Sequence, residues 1–269
     1  MRGSTWVLPA ILALSVAGAA VKSAGAFLYG SRSLFVDSLT CFANLVAVAA
    51  TTHFYRVSLE PPDIDHHFGH YRLGYGGTIV SMLAYAFVAG IAVSTLLQSE
   101  SYEVHISATW MAVAGLVLYS GAIFLAHKFG SFLKAYAVFT VSEVIESLVV
   151  VAASSGGALV NYRIDLAGAA VITAYIFIEL YGTGKNVITC LSDVAPPPHF
   201  VERVKEVVES HGFRLVSVKL RKVSENLTHG DLVLRPEGLR LEEAVKRTKD
   251  VKELLKKEFN LDCSVELTI

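Results

Sequence analysis

Asp37, Thr40, Cys41 and Asn44 fall at i, i+3, i+4 and i+7 of a mostly apolar stretch, so a helix sets all four on one face. An Asp at the centre of a bilayer costs about 2.5–3.5 kcal/mol on insertion scales, so it faces a bundle interior or a wet cavity. That face offers a cation carboxylate, hydroxyl, thiol and amide donors. It equally suits an Asp that holds a structural hydrogen bond to a neighbouring helix. A second polar set, Glu143, Glu146 and Ser147, lies in another apolar stretch, with the two carboxylates one helical turn apart on one face. Two buried carboxylates that close repel unless a cation or a donor intervenes. A bound metal satisfies both; pairing of Glu146 with Lys22, or a place near the interface, is the alternative. The third set is a loop, Pro61-Pro62-Asp63-Ile64-Asp65-His66-His67-Phe68-Gly69-His70, which gathers three of the nine histidines. Imidazole and carboxylate together suit a borderline divalent ion such as zinc, against the reading of a merely solvated loop.

Other chemistries find little support. The loop lacks the His-Glu-x-x-His spacing of zinc hydrolases, and no nucleophile stands beside a base. There is no P-loop and no G-x-G-x-x-G. Cys41, Cys190 and Cys263 are isolated, without Cys-x-x-Cys spacing, so reduced thiols are expected. Basic residues near the C-terminus alternate with acidic ones, as on a solvated helix, and nucleic acid is not an expected partner.

The elements that must position these residues follow from how charge is distributed. Of 23 Lys/Arg and 24 Asp/Glu, more than half of each lie in residues 196–269, little over a quarter of the chain. That break marks two solvents. Residues 1–195 read as an α-helical membrane domain with six transmembrane helices, near 6–29, 33–56, 74–98, 108–128, 134–156 and 164–187. The run after Arg2 exceeds the apolar core of a signal peptide and is expected to stay as the first helix. Loop basicity orients the set. Arg2, Arg56, Arg72, Lys128, Lys134 and Lys185 fall on one side, and only Arg32 and Arg163 on the other. Both termini are therefore expected in the cytoplasm, with the protein multi-pass in the cell membrane and in contact with its lipid.

Beyond Pro196-Pro197-Pro198 the pattern becomes that of a soluble domain, residues 196–269. Val201, Val204, Val207 and Val208 repeat at helical spacing. Val216, Val218 and Leu220 alternate with Ser217, Lys219 and Arg221 as in a strand, and a second strand fits 229–235. Leu241, Ala244, Val245, Thr248, Val251, Leu254 and Leu255 line one helix face, and 263–269 makes a last strand. This αββαβ order suits a small α+β sandwich, whose limited core favours a dimer.

The runs Ser33-Leu34-Phe35-Val36-Asp37-Ser38 and Arg56-Val57-Ser58-Leu59-Glu60-Pro61, followed by Asp63, His66 and Phe68-Gly69-His70, together resemble the cation diffusion facilitator (cation efflux) family. Asp165 near the start of the sixth helix, Leu191-Ser192-Asp193 after it, and the αββαβ tail add to the resemblance. It implies a homodimeric exporter of divalent metal ions coupled to protons, with a ferredoxin-like cytoplasmic domain. It further implies a transport site built by residue pairs four apart on helices two and five. The matching positions are Thr40 with Asn44, and Phe139 with Glu143. Family members usually carry His or Asp there, so the intramembrane site is atypical and only Glu143 keeps a formal charge.

Asp37, with Cys41 and Glu146, is placed to rebuild a site. Asp63, His66 and His70 occupy the family's second-site positions, whereas Gly74 stands where many members have Glu. The tail's interfacial metal site is not recognisable. The expected function is export of zinc, manganese or iron, with the ion as substrate and no prosthetic group. The rival is a transport-inactive or regulatory paralogue that serves as a partner subunit, raised by Thr40, Asn44 and Phe139. An enzyme is not expected, for want of a catalytic constellation.

Overall fold

A computed structural model describes residues 7–98, 100–129, 134–223, 227–238 and 240–268, with backbone alone at 7–8, 126–127, 129 and 134–142. The chain divides into two compact units, Met1–Val57 with Gly74–Gly184, and Ser58–Leu73 with Lys185–Ile269.

The first unit is built from long helices: α1 (Val7–Tyr29), α2 (Arg32–Ser58), α3 (Gly74–Leu97), α4 (Ser107–Phe129), α5 (Lys134–Leu159) and α6 (Tyr162–Leu191). At about 1.5 Å per residue, helices of this length exceed the ~30 Å of a hydrocarbon core. Among the described residues, five of them, α1, α2, α3, α4 and α6, are also apolar enough to cross a membrane. Phe27, Leu83, Phe87, Trp110 and Phe124 are exposed, while Lys22, Asp37, Glu143 and Asp165 are buried. That inside-out distribution needs lipid as the outer solvent. The chain is a multi-pass membrane protein.

Close helix approach depends on small residues, as expected where the surrounding lipid is as apolar as the helices. A Cβ on Gly77 of α3 would lie 2.6 Å from the Thr51 Cα of α2, so the two backbones touch there. α1 ends where Gly30 takes a left-handed φ of +72°, its N–H bonding the Ala26 carbonyl at 3.0 Å. The Glu103 carbonyl packs against that glycine and leaves no room for a side chain. α1 packs on α4, and α4 on α5.

In the second unit, α7 (Pro198–Ser210), β1 (Phe213–Lys222), β2 (Thr228–Pro236), α8 (Leu241–Phe259) and β3 (Leu261–Leu267) form a small three-stranded sheet with helices. The strand order is β1-β2-β3; β1 and β2 run antiparallel, and β2 and β3 run parallel across the α8 connection. Val204, Val208, Phe213, Leu232, Val251 and Leu255 are among its fully buried core. Asn260, in a left-handed conformation, ends α8 by bonding the Leu255 carbonyl.

Two sequence patterns resolve differently from their simple period. A bulge between Leu215 and Ser217 breaks the alternation of β1, so Val216 is exposed while Phe213 and Leu220 point inward. On α8 the stripe narrows to Ala244, Val251 and Leu255, and Leu241 and Val245 stay exposed. The loop before α3 belongs to this unit. Arg72 pairs with Asp193, Arg221 lies 3.6 Å from the same carboxylate, and Phe68 sits beside His229 with ring centroids 6.4 Å apart.

Candidate functional site

The polar faces read from the sequence meet inside the first unit, around a residue of α1. The Nζ of Lys22 lies 3.0 Å from both carboxylate oxygens of Asp37 on α2. It donates to the Ser147 hydroxyl of α5 at 2.8 Å and to the Cys41 sulfur at 3.5 Å, and stands 3.9 Å from the Glu143 carboxylate. The Cys41 thiol donates towards Glu143 at 3.6 Å. Lys22, Asp37, Cys41, Glu143 and Ser147 are all buried. One ligand atom from each of Asp37, Cys41 and Glu143 lies within 4.8 Å of the other two, a spread that a single metal ion can bridge.

The flanking residues divide. Thr40 donates to the Asp37 carbonyl at 2.8 Å and to Glu146 at 3.2 Å, placing a third carboxylate beside the cluster. Asn44, one turn on from Thr40, turns to α3, where its Oδ1 accepts from the Tyr85 hydroxyl. Phe139 lies on α5, with its side chain outside the described residues. The structure thus brings Asp37, Thr40 and Glu143 to one place, with Asn44 bonded to Tyr85.

The sequence gives Cys41 a supporting role and offers Lys22 only as an alternative partner for Glu146. The described contacts give Lys22 to Asp37 and Glu143, and give Glu146 to Thr40. The signal was available: a lone Lys within a 23-residue apolar helix needs a buried partner. The relative register of α1, α2 and α5, which selects that partner, is not a property of any single segment.

The loop site forms in the second unit. Asp63 Oδ1 accepts from the backbone N–H of His66 at 2.7 Å and of Asp65 at 3.0 Å, a side-chain-stabilised turn. Those N–H groups, His66 first, hold the Asp63 carboxyl below the usual carboxylate range. Gly69, with φ +83°, reverses the chain so that the His66 and His70 rings come within 4.2 Å. The Nδ1–H of His70 donates to the Pro61 carbonyl at 3.1 Å. Its Nε2 is left facing Asp63 at 3.4 Å, and His66 Nδ1 is also 3.4 Å from that carboxylate. A carbonyl that fixes one ring nitrogen and frees the other is the usual outer support of a metal-ligating histidine. The three donors lie within 4.8 Å of one another.

The model of the cation efflux transmembrane domain matches residues 8–192. The manganese efflux system protein MneS of Bacillus subtilis (strain 168) is 30% identical over 124 residues, 44% of this chain and 41% of that protein. The uncharacterized transporter YdbO of the same organism is 23% identical over 262 residues, 90% of this chain and 87% of that protein. The alignment to the first covers less than half of its length; the alignment to the second covers most of it.

Proposed function

The chain belongs to the cation efflux family, and on that premise we propose that it exports a divalent transition-metal ion from the cytoplasm by proton antiport. Zinc, manganese and iron are the candidate ions. The observation that carries the reading is the buried cluster Asp37, Cys41 and Glu143, whose ligand atoms lie within 4.8 Å of one another on α2 and α5. A carrier site must be reachable from both sides in turn, so it belongs where helices can rock near the midplane. Two carboxylates suit a hard ion such as Mn²⁺, and the thiol of Cys41 draws the preference towards Zn²⁺ or Fe²⁺. Efflux of manganese is what the name of the Bacillus relative describes, which supports that ion for the present chain. Thr40 and Glu146 act from beside the cluster, and Asn44 through Tyr85.

The remaining architecture is read accordingly. α5 is read as a membrane helix beside the other five, residues 1–195 as the transport domain, and 196–269 as a ferredoxin-like cytoplasmic domain. With the tail inside the cell, both termini face the cytoplasm of a protein in the cell membrane. The test is uptake of zinc, manganese, iron, cobalt, nickel and cadmium into liposomes under a proton gradient, with empty liposomes beside them. Uptake of none of these ions sinks the transporter reading. One observation favours the rival, a transport-inactive or regulatory subunit: the Lys22 ammonium already neutralises part of the cluster.

A second prediction concerns the loop. Asp63, His66 and His70 are expected to bind zinc at the cytoplasmic surface. Imidazole must lose its proton to ligate, so zinc affinity should fall as pH drops below about 6. Asp63, held ionised by backbone N–H groups, contributes nothing to that fall until far lower pH. Equilibrium dialysis checks this: equal zinc stoichiometry for the wild type and for Asp63→Ala/His66→Ala/His70→Ala would refute it.

A third concerns assembly. Val216, Leu241 and Val245 are apolar and exposed on a tail domain of limited core, which supports a homodimer held partly through that domain. A soluble segment of residues 197–269 should show concentration-dependent dimerisation in sedimentation equilibrium. A strictly monomeric segment at high concentration removes the contribution.

A further inference from the structure

We propose that Lys22 is a tethered cation that holds the place between Asp37, Cys41 and Glu143, and that a divalent ion enters the cluster only by displacing it. The inference rests on the reading of this cluster as the transport site and adds a determinant of its selectivity. Its ammonium is within 4 Å of a donor atom on each of the three candidate ligands, at 3.0, 3.5 and 3.9 Å. An ion bridging those ligands would occupy the space that the ammonium fills.

The side chain is held there by construction. Its stem runs along Gly115 of α4, where an added Cβ would meet the Lys22 Cγ at 2.6 Å and Cε at 2.8 Å. The ring of Tyr119, one turn further on α4, lies 4.7 Å from Nζ, a cation–π contact that further steadies the charge. Ser147 supplies a third hydrogen bond. The helices α2, α4 and α5 each contribute a contact suited to the ammonium ion that α1 carries.

A tethered monovalent charge competes in a characteristic way. It is always present at high effective concentration, because the helix that carries it cannot diffuse away. A free alkali ion offers the carboxylates the same charge and must in addition lose its translational freedom, so it does not displace the lysine. A divalent ion doubles the Coulomb attraction to Asp37 and Glu143 and also forms coordinate bonds with Cys41. Lys22 therefore screens the cluster against sodium and potassium and lowers its affinity for the divalent ion to a level from which release is feasible.

The test is binding of Mn²⁺ alone to the full chain in nanodiscs, read from the electron paramagnetic resonance of the free ion. Both proteins carry Asp63→Ala/His66→Ala/His70→Ala to remove the loop site. Lys22→Met, similar in length but uncharged, should bind Mn²⁺ at least about tenfold more tightly than the parent. Added sodium should then weaken its binding and leave the parent unaffected. Binding by Lys22→Met equal to or weaker than the parent overturns the role of Lys22 and leaves the site reading standing. Binding by neither overturns both. Removing one partner of a buried ion pair can prevent folding. A charge-balanced comparison, Asp37→Asn against Lys22→Met/Asp37→Asn, then applies under the same criteria. The double variant should bind more tightly by about the same factor, and no gain overturns the proposal.

Discussion

Replacing Asp165 by Ala is expected to lower the thermal midpoint of the purified protein by about 10 °C, a larger loss than truncation of any one of its hydrogen-bond partners. Asp165 lies in the first turn of α6, is fully buried, and serves as an acceptor for the start of α2. Its Oδ1 accepts the hydroxyls of Ser31 at 2.7 Å and Ser33 at 2.5 Å. Its Oδ2 accepts the backbone N–H of Arg32 at 2.6 Å and of Ser33 at 3.4 Å, and the Tyr102 hydroxyl at 3.0 Å. The first-turn N–H groups of a helix have no partner within it. Ser31 satisfies one, accepting from Leu34 N–H at 3.1 Å, and Asp165 satisfies two more from a different helix. Truncation to Ala strands these buried and half-buried donors at about 3–5 kcal/mol. For a chain of this size that is roughly 10 °C in the midpoint. Ser33→Ala, which removes one donor, should cost only about 1 kcal/mol. A thermal melt of Asp165→Ala within about 2 °C of wild type would refute this role.

That capping arrangement illustrates what the sequence discloses and what it withholds. Helix extents were legible because charge and apolar length report the solvent: α2, expected over 33–56, spans Arg32–Ser58, and α3, expected over 74–98, spans Gly74–Leu97. Asp165 was noticed as a family feature, but its partners are 132 to 134 residues away for Ser31, Arg32 and Ser33, and nothing local encodes that meeting. The tail order α7, β1, β2, α8, β3 followed from periodicity. The bulge that turns Val216 outward did not, because an extra residue in one strand is decided by its pairing with β2 rather than by its own alternation.

The site was legible in part for a similar reason. Asp37 and Glu143 stand out because an ionisable group in an apolar helix needs a partner, whichever helix supplies it. The loop cluster was legible together, since one short segment holds Asp63, His66 and His70 and the turn chemistry is local. Lys22 and Asn44 show the limit. Both are visible as polar residues, yet Lys22 faces α2 and α5 while Asn44 faces Tyr85, and only the rotation of each helix in the bundle decides this.

Glu143→Gln is expected to abolish metal flux in liposomes while leaving the fold and the loop site intact. Glutamine is nearly isosteric and keeps an oxygen for the Cys41 thiol, which lies 3.6 Å away in the wild type. What it removes is a charge, and with it one of the two carboxylates within 4 Å of Lys22. A divalent ion then faces Asp37 with one opposing charge gone and a tethered ammonium still competing. Losing one partner of a buried charge pair is worth about 3–5 kcal/mol, which corresponds to a loss of at least about a hundredfold. Glutamine also cannot exchange a proton, so any residual flux should no longer respond to the proton gradient. Folding is less at risk than for Asp165→Ala, because Asp37 still compensates Lys22 at 3.0 Å. The measurement is uptake of each candidate ion by wild type, Glu143→Gln and empty liposomes side by side, with zinc binding by the loop as the control for integrity. Wild-type flux that survives Glu143→Gln undiminished would remove Glu143 from the site. Absence of flux in the wild type, with the loop still binding zinc, would favour the regulatory subunit, in which Lys22 closes the cluster permanently.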